Sequence, residues 1–433
     1  MTGLPIFALL LATLALPPGI PGDLGDPGDI TVVSTNDFGI KGNGNSEFPQ
    51  FSRDGSKVVF KTNSTNFDDR DQDFLFDVYE KDLTRGDVTL VSVNAGGVKA
   101  NADSRFFSVS DDGTKVAFDS DATNLDPNDP DDYTDIYVKD LVSGELVLAS
   151  TSFTGVKSDF NSFSPSISAD GTLVAFVSYA TNLDPRDSDG FVDIYVKDLV
   201  TGDITLASTS DADVKGNAGS DQASLSADGT RVAFTSSATN LDRHDRDDVV
   251  DVYVKNLTTG DIELASTTSS GIKGNENSWT PSLSSSGTQV AFFSYATNLD
   301  PADPDDLQDV YVKDLETKVL VLASTSSQGV KGNGDSLFVD LSADGQRVAF
   351  LSSATNLHPR DGDPFIDVYV KDLRRGGIYL ATTSDHRRKP KGGVPDAPRL
   401  TADGKAVAFG TTSTLEPPAD SDHLYDVYVK TIG

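Results

Sequence analysis

The 433-residue chain sets 67 acidic against 35 basic side chains, a formal charge of −32, which counts against nucleic acid and anionic membrane surfaces as electrostatic partners. It has no cysteine, so disulfides, thiolate metal sites and a lipid-modified cysteine are excluded. Its 37% apolar residues, set in a clear repeat, mark a folded chain and not a disordered acidic one.

Residues 6–16 (IFALLLATLAL) form an apolar run followed by PPGIPGDLGDPGD. The run is too short to span a bilayer and resembles the core of a secretory signal, although the preceding MTGLP has no Lys or Arg. The expectation is a signal peptide over residues 1–22, a linker over 23–28 and one repeat domain over 29–433. That predicts export to the periplasm or the extracellular space, without membrane insertion.

From there a phrase reading Ser-Ala-Asp-Gly-Thr-x-Val-Ala-Phe in its purest copies recurs seven times. Its glycines are Gly55, Gly113, Gly171, Gly229, Gly287, Gly345 and Gly404, spaced by 58 residues five times and then by 59. Such a period means one supersecondary unit stacked on its neighbours. In the third copy four β-rich runs follow in order: a around Ser164–Ser168, b around Val174–Phe176, c over Asp193–Leu199 and d over Ile204–Thr209. Asp-Gly joins a to b, and Thr201-Gly202-Asp203 joins c to d. Four antiparallel strands repeated seven times predict an all-β, seven-bladed β-propeller.

Phe60, Phe118, Phe176, Phe234, Phe292, Phe350 and Phe409 share one repeat position, and Tyr79, Tyr137, Tyr195, Tyr253, Tyr311, Tyr369 and Tyr428 another. These rings are expected to form the layers between blades. The chain stops after run c of the seventh copy, while an unpaired run d stands at Gly28–Ser34. The N-terminal strand is therefore expected to complete the last blade and close the ring.

The phrase Phe/Ile/Leu-Ser-x-Asp-Gly-x-x-Val-Ala-Phe, followed by Asp-Val-Tyr-Val-Lys-Asp-Leu, resembles the TolB-type, WD-repeat-like propeller family of bacteria over residues 29–433. The resemblance implies a periplasmic or extracellular, protein-binding propeller. That family commonly has six blades where this chain has seven copies.

The b–c loops hold the acidity, as Asp-x-x-Asp-x-Asp-x-x-x-Asp. The sets are Asp68, Asp71, Asp73, Asp77; Asp126, Asp129, Asp131, Asp135; Asp184, Asp187, Asp189, Asp193; Asp242, Asp245, Asp247, Asp251; and Asp300, Asp303, Asp305, Asp309. The sixth loop has His358, Asp361, Asp363, Asp367 and the seventh Asp420, Asp422, Asp426. Without these 26 aspartates the chain would hold 41 acidic and 35 basic residues, so the charge belongs to the loops. Carboxylates this dense repel unless neutralised, and Ca²⁺ takes 6–8 oxygen ligands from such loops. Asp187-Ser188-Asp189-Gly190-Phe191-Val192-Asp193 resembles the calcium loops of integrin-type propellers. Turn capping by Asp and Lys–Asp pairing are the competing readings. The d–a loops supply the lysines, in Gly-Val/Ile-Lys-Gly-Asn phrases, at Lys41, Lys99, Lys157, Lys215, Lys273 and Lys331. Both loop types should emerge on one face, which is where binding is expected.

Symmetry breaks late in the array, where His358, His386 and His423 fall in loops of that face. With carboxylates nearby they are candidates for a transition-metal or catalytic site. No nucleophile elbow, phosphate loop or zinc-protease helix is present, and a lone Trp279 argues against a sugar-stacking groove. Two functions follow: a monomeric, Ca²⁺-stabilised, non-catalytic scaffold binding a protein or cell-envelope polymer, or a polymer-acting hydrolase or lyase at the histidine end.

Overall fold

The computed structural model describes residues 29–383, 393, 395–415 and 422–432; the expected signal peptide, the linker, His386 and Asp420 lie outside them. Alternating, β-branched and aromatic runs broken by Asp-Gly and Thr-Gly turns give seven four-stranded antiparallel sheets, and the described residues contain no helix. In blade three strand a is Ser162–Ile167, b Leu173–Ser178, c Asp193–Asp198 and d Ile204–Leu206, hydrogen-bonded in that order. In blade seven, strand a is Arg399–Leu400, b Ala406–Thr411 and c Asp426–Thr431. Ile30–Val32 adds to it antiparallel as strand d, with Thr31 opposite Val429. The ring closes on the N-terminal strand, as the offset run d required.

Each repeat Phe lies directly opposite its repeat Tyr across strands b and c. Phe176 and Tyr195 stack with centroids 6.0 Å apart at 23°. In blade one Phe67 inserts between Phe60 and Tyr79 edge-on. All fourteen rings are buried, and the apolar clusters they join straddle neighbouring blades: Ala291, Val310 and Val312 of blade five pack with Val348, Phe350 and Tyr369 of blade six. The rings are thus the inter-blade layers, each burial stabilising by roughly 1.5–3 kcal/mol.

Strand a departs from the regular ladder. Its pairing with b slips by one residue in the first six blades, and Phe48, Ser164, Gln222, Thr280 and Phe338 adopt φ of 51–59° there. The inner strands therefore bend into the axis as β-bulges. At the turn face the blades are laced by backbone bonds, from Arg53 N to Asp111 O, Asp111 N to Ala169 O, and onward to Ala343 N and Ala402 O. The turn glycines sit against the preceding blade: Gly229 has φ +68°, and a Cβ there would lie 2.4 Å from Leu173 Cδ1.

Candidate functional site: lysine–aspartate clasps on the loop face

The four aspartates of each loop divide into two jobs. The first folds the turn. Asp68, Asp126, Asp184, Asp242 and Asp300 each accept the backbone N–H two residues on, at 2.7–2.8 Å. His358 does the same in the sixth loop, its Nδ1 accepting Arg360 N at 3.2 Å. In each of these loops the first position caps the turn through the backbone N–H two residues on.

The second, third and fourth aspartates converge. Asp71, Asp73 and Asp77 each offer an oxygen within 4.8 Å of the others, as do the equivalent triads through Asp303, Asp305 and Asp309, so a triad could hold a metal ion. The lysine of the following d–a loop stands among the same oxygens. Lys99 Nζ lies 2.8 Å from Asp77 Oδ2, 3.0 Å from Asp73 Oδ1 and 3.6 Å from Asp71 Oδ1. Lys157, Lys215, Lys273 and Lys331 repeat the arrangement with Asp135, Asp193, Asp251 and Asp309 at 2.7–2.8 Å. Lys41 reaches Asp422 at 2.5 Å and Asp426 at 2.6 Å, carrying the pattern across the closure. In the sixth loop Tyr369 OH donates to Asp361 and Thr382 Oγ1 to Asp367, while Asp363 accepts Phe365 N at 3.2 Å.

Two further partners complete each clasp. Tyr195 OH donates to Asp187 Oδ2 at 2.7 Å, and Ser208 Oγ donates to Asp193 Oδ1 at 2.6 Å. At the closure Ser34 takes the second role toward Asp426 at 2.9 Å. Across the joint, Asn182 Nδ2 donates to Lys157 O at 2.8 Å and Asp159 N to Asn182 Oδ1 at 3.1 Å. The d–a loop therefore holds the carboxylates of one blade with its side chain and the next blade with its backbone.

Burial dominates the electrostatics. It pushes Asp77 and Asp309 up to about 7, and Asp193 and Asp251 to about 6, against the hydrogen bonds from lysine and serine that favour the charged form. For Lys99 burial acts downward, but hydrogen bonds and attraction from Asp77, Asp73 and Asp71 outweigh it and hold the ammonium above its ordinary range. Asp71 Oδ1 and Asp77 Oδ2 meet no other donor among the described residues, so the lysine is their counter-charge.

The phenol and serine partners escaped the sequence reading, which placed the tyrosines only in the packing layers. Their signal was the fixed eight-residue step from the second aspartate of each set to the tyrosine, as from Asp187 to Tyr195. Of the histidine group, His358 caps its turn and His423 is exposed, at φ 64°; His386 lies outside the described residues. His244 caps locally on Asp242, 2.9 Å away.

No family model and no curated protein sequence matches the chain. Among solved structures it is similar to an oligogalacturonate lyase in complex with manganese, 16% identical over 96% of this chain and 97% of that one, with TM-score 0.55. It is also similar to the β-propeller domain of the Trilobed protease from Pyrococcus furiosus, 10% identical over 89% and 95%, with TM-score 0.54. TolB from Agrobacterium tumefaciens overlaps at 20% identity over 64% and 79%, with TM-score 0.40. At these identities the likeness is one of fold. No helix of the described residues is long and apolar enough to cross a membrane.

Proposed function

We propose that this chain is an exported, non-catalytic propeller scaffold that binds a protein or cell-envelope polymer through its loop face. The observation that carries the reading is a crown of exposed β-branched residues, one beside each clasp lysine: Ile40, Val98, Val156, Val214, Ile272 and Val330, each 54–60% exposed. Packing asks for no apolar side chain at such a position, yet the array repeats one around a rigid ring. Exposed Phe191 and Phe365 stand in the b–c loops of the same face, and apolar surface repeated from blade to blade beside charged groups is the mark of an interaction site.

The clasp lysine serves as the resident cation of the triads, and Ca²⁺ would have to displace it. The scaffold reading is tested with envelope fractions of the source cell. Val156→Asp combined with Phe191→Ser on the loop face should abolish retention of the protein, whereas Val142→Ser combined with Val200→Ser on the opposite turns should leave it intact. Equal loss in both pairs, or retention in neither wild type nor variants, would remove the loop face as the docking surface.

A further inference from the structure

The axis of the ring encloses a cavity of about 400 Å³ lined by the seven inner strands. At its turn-face end Arg53 crosses from blade one, donating to Asp111 Oδ2 at 2.7 Å and to Ser285 Oγ of blade five at 3.1 Å. Toward the loop face it is lined by Phe48 and Phe106, whose centroids are 6.0 Å apart.

Between these ends lies a layer made by one repeat position: Gln50, Ser108, Ser166, Ser224, Ser282, Asp340 and Arg399. The serines are structural on one side. Ser108, Ser166, Ser224 and Ser282 each accept a backbone N–H from the next blade at 3.0–3.1 Å, and Asp340 Oδ2 accepts Leu400 N at 2.7 Å. Each of these side chains thus holds one backbone donor, whereas the hydroxyl protons of Ser108, Ser166 and Ser224 meet no acceptor among the described residues. Burial pushes the Asp340 carboxyl up, while the nearby Arg399 guanidinium, then Leu400 N and the Ser282 hydroxyl, favour its charged form. The layer breaks its symmetry in three consecutive blades, six, seven and one, where Asp340, Arg399 and Gln50 replace serine. Among the described residues Arg399 donates a hydrogen bond only to Pro398 O, at 3.1 Å, its charge favours ionised Asp340 and Asp396 nearby, and the Gln50 amide has no side-chain partner. The layer therefore presents an excess of unspent donors around a guanidinium, at the foot of an aromatic mouth.

We propose that the axial cavity binds a small carboxylate with an apolar body. The carboxylate sits on Arg399, whose fork matches it in shape and charge, with the Gln50 amide and serine hydroxyls as further donors. The apolar body points toward Phe48 and Phe106. Asp340 stands in the same layer as a negative charge opposed to the ligand, which fixes the sign of one test.

The probe is 4-fluorophenylacetate, followed by ¹⁹F NMR with the full chain, against the neutral 4-fluorophenylacetamide. The acid should bind saturably and the amide should not. Arg399→Gln should weaken the acid by roughly tenfold or more, the loss of a charge-assisted pair. Asp340→Asn keeps an acceptor for Leu400 N and should tighten the acid, so it decides the matter even where Arg399→Gln fails to fold. Equal binding of acid and amide, weaker binding in Asp340→Asn, or no saturable acid signal at tens of millimolar would overturn the proposal.

Discussion

Tyr195 shows how one hydroxyl serves a packing residue. Its ring stacks on Phe176 in the inter-blade layer, while its O–H bonds to the buried carboxylate of Asp187. Tyr195→Phe keeps the packing and removes the donor, so the cost is the desolvated Asp187 oxygen, about 1–3 kcal/mol in urea unfolding. An unchanged midpoint would mean that the lysine alone satisfies the carboxylate. The titration of the triads gives a second outcome at this scale. Asp77, Asp309, Asp193 and Asp251 ionise at about 6–7 when folded, against about 4 in an unfolded chain. Between those values the folded state binds more protons, so stability falls as pH rises from about 4 to 7. Turn carboxylates act oppositely: backbone N–H bonds hold Asp54 and Asp82 below their ordinary value, and that stability is lost as pH falls through their folded values. The thermal midpoint should therefore be higher near pH 5 than near pH 8 and drop again in stronger acid. A midpoint that climbs steadily to pH 8 would contradict the burial of the triads.

The d–a loop is the element that makes neighbouring blades one body. Lys99→Ala removes the counter-charge between Asp71 and Asp77 and should cost about 3–5 kcal/mol, the penalty for a buried charge left unpaired. The vacated triad then becomes open to a divalent ion, so millimolar Ca²⁺ should raise the melting temperature of Lys99→Ala and leave wild type unmoved. A rise in wild type as well would make Ca²⁺ a native ligand of these loops. The outer plan of this element was legible in the sequence, because the 58-residue period puts each Asp set and each lysine in fixed register on one face. What was not legible is which cation the carboxylates receive: Asp71, Asp73 and Asp77 have the spacing of calcium ligands and of lysine partners alike. Only the path of the chain from Val93 to Lys99, bridged antiparallel, brings Nζ among them. The bulges of strand a were also hidden, since Phe48, Ser164, Gln222, Thr280 and Phe338 share an unusual φ but no side-chain chemistry. The donor layer beneath them was hidden with them, because serine, glutamine, aspartate and arginine read as unrelated until the ring sets them at one height.

At the scale of the whole ring, the weakest seam lies inside blade seven, where no turn joins strand c to strand d. Every joint between blades has a d–a loop, but this blade is finished by a segment nearly 400 residues away in sequence, so its closure carries the largest loop entropy in the molecule. The closing segment buries Ile30 and Val33, pairs Ile30–Val32 with strand c of blade seven, and places Ser34 Oγ on Asp426. Burial of the two aliphatic side chains alone stabilises by roughly 3–6 kcal/mol. A chain begun at Asp29 should therefore melt well above one begun at Asp37. The shorter chain keeps Lys41 and loses the closing strand with its link into blade one, so any difference reports the seam. A synthetic peptide of residues 29–36 added in trans should recover part of the loss, because it restores the fourth strand and Ser34 without reconnecting the chain. Coincident melts of the two chains would show that blade seven is held by its neighbour alone. A loss that the peptide cannot reverse would place the stabilisation in the covalent connection instead of in the strand.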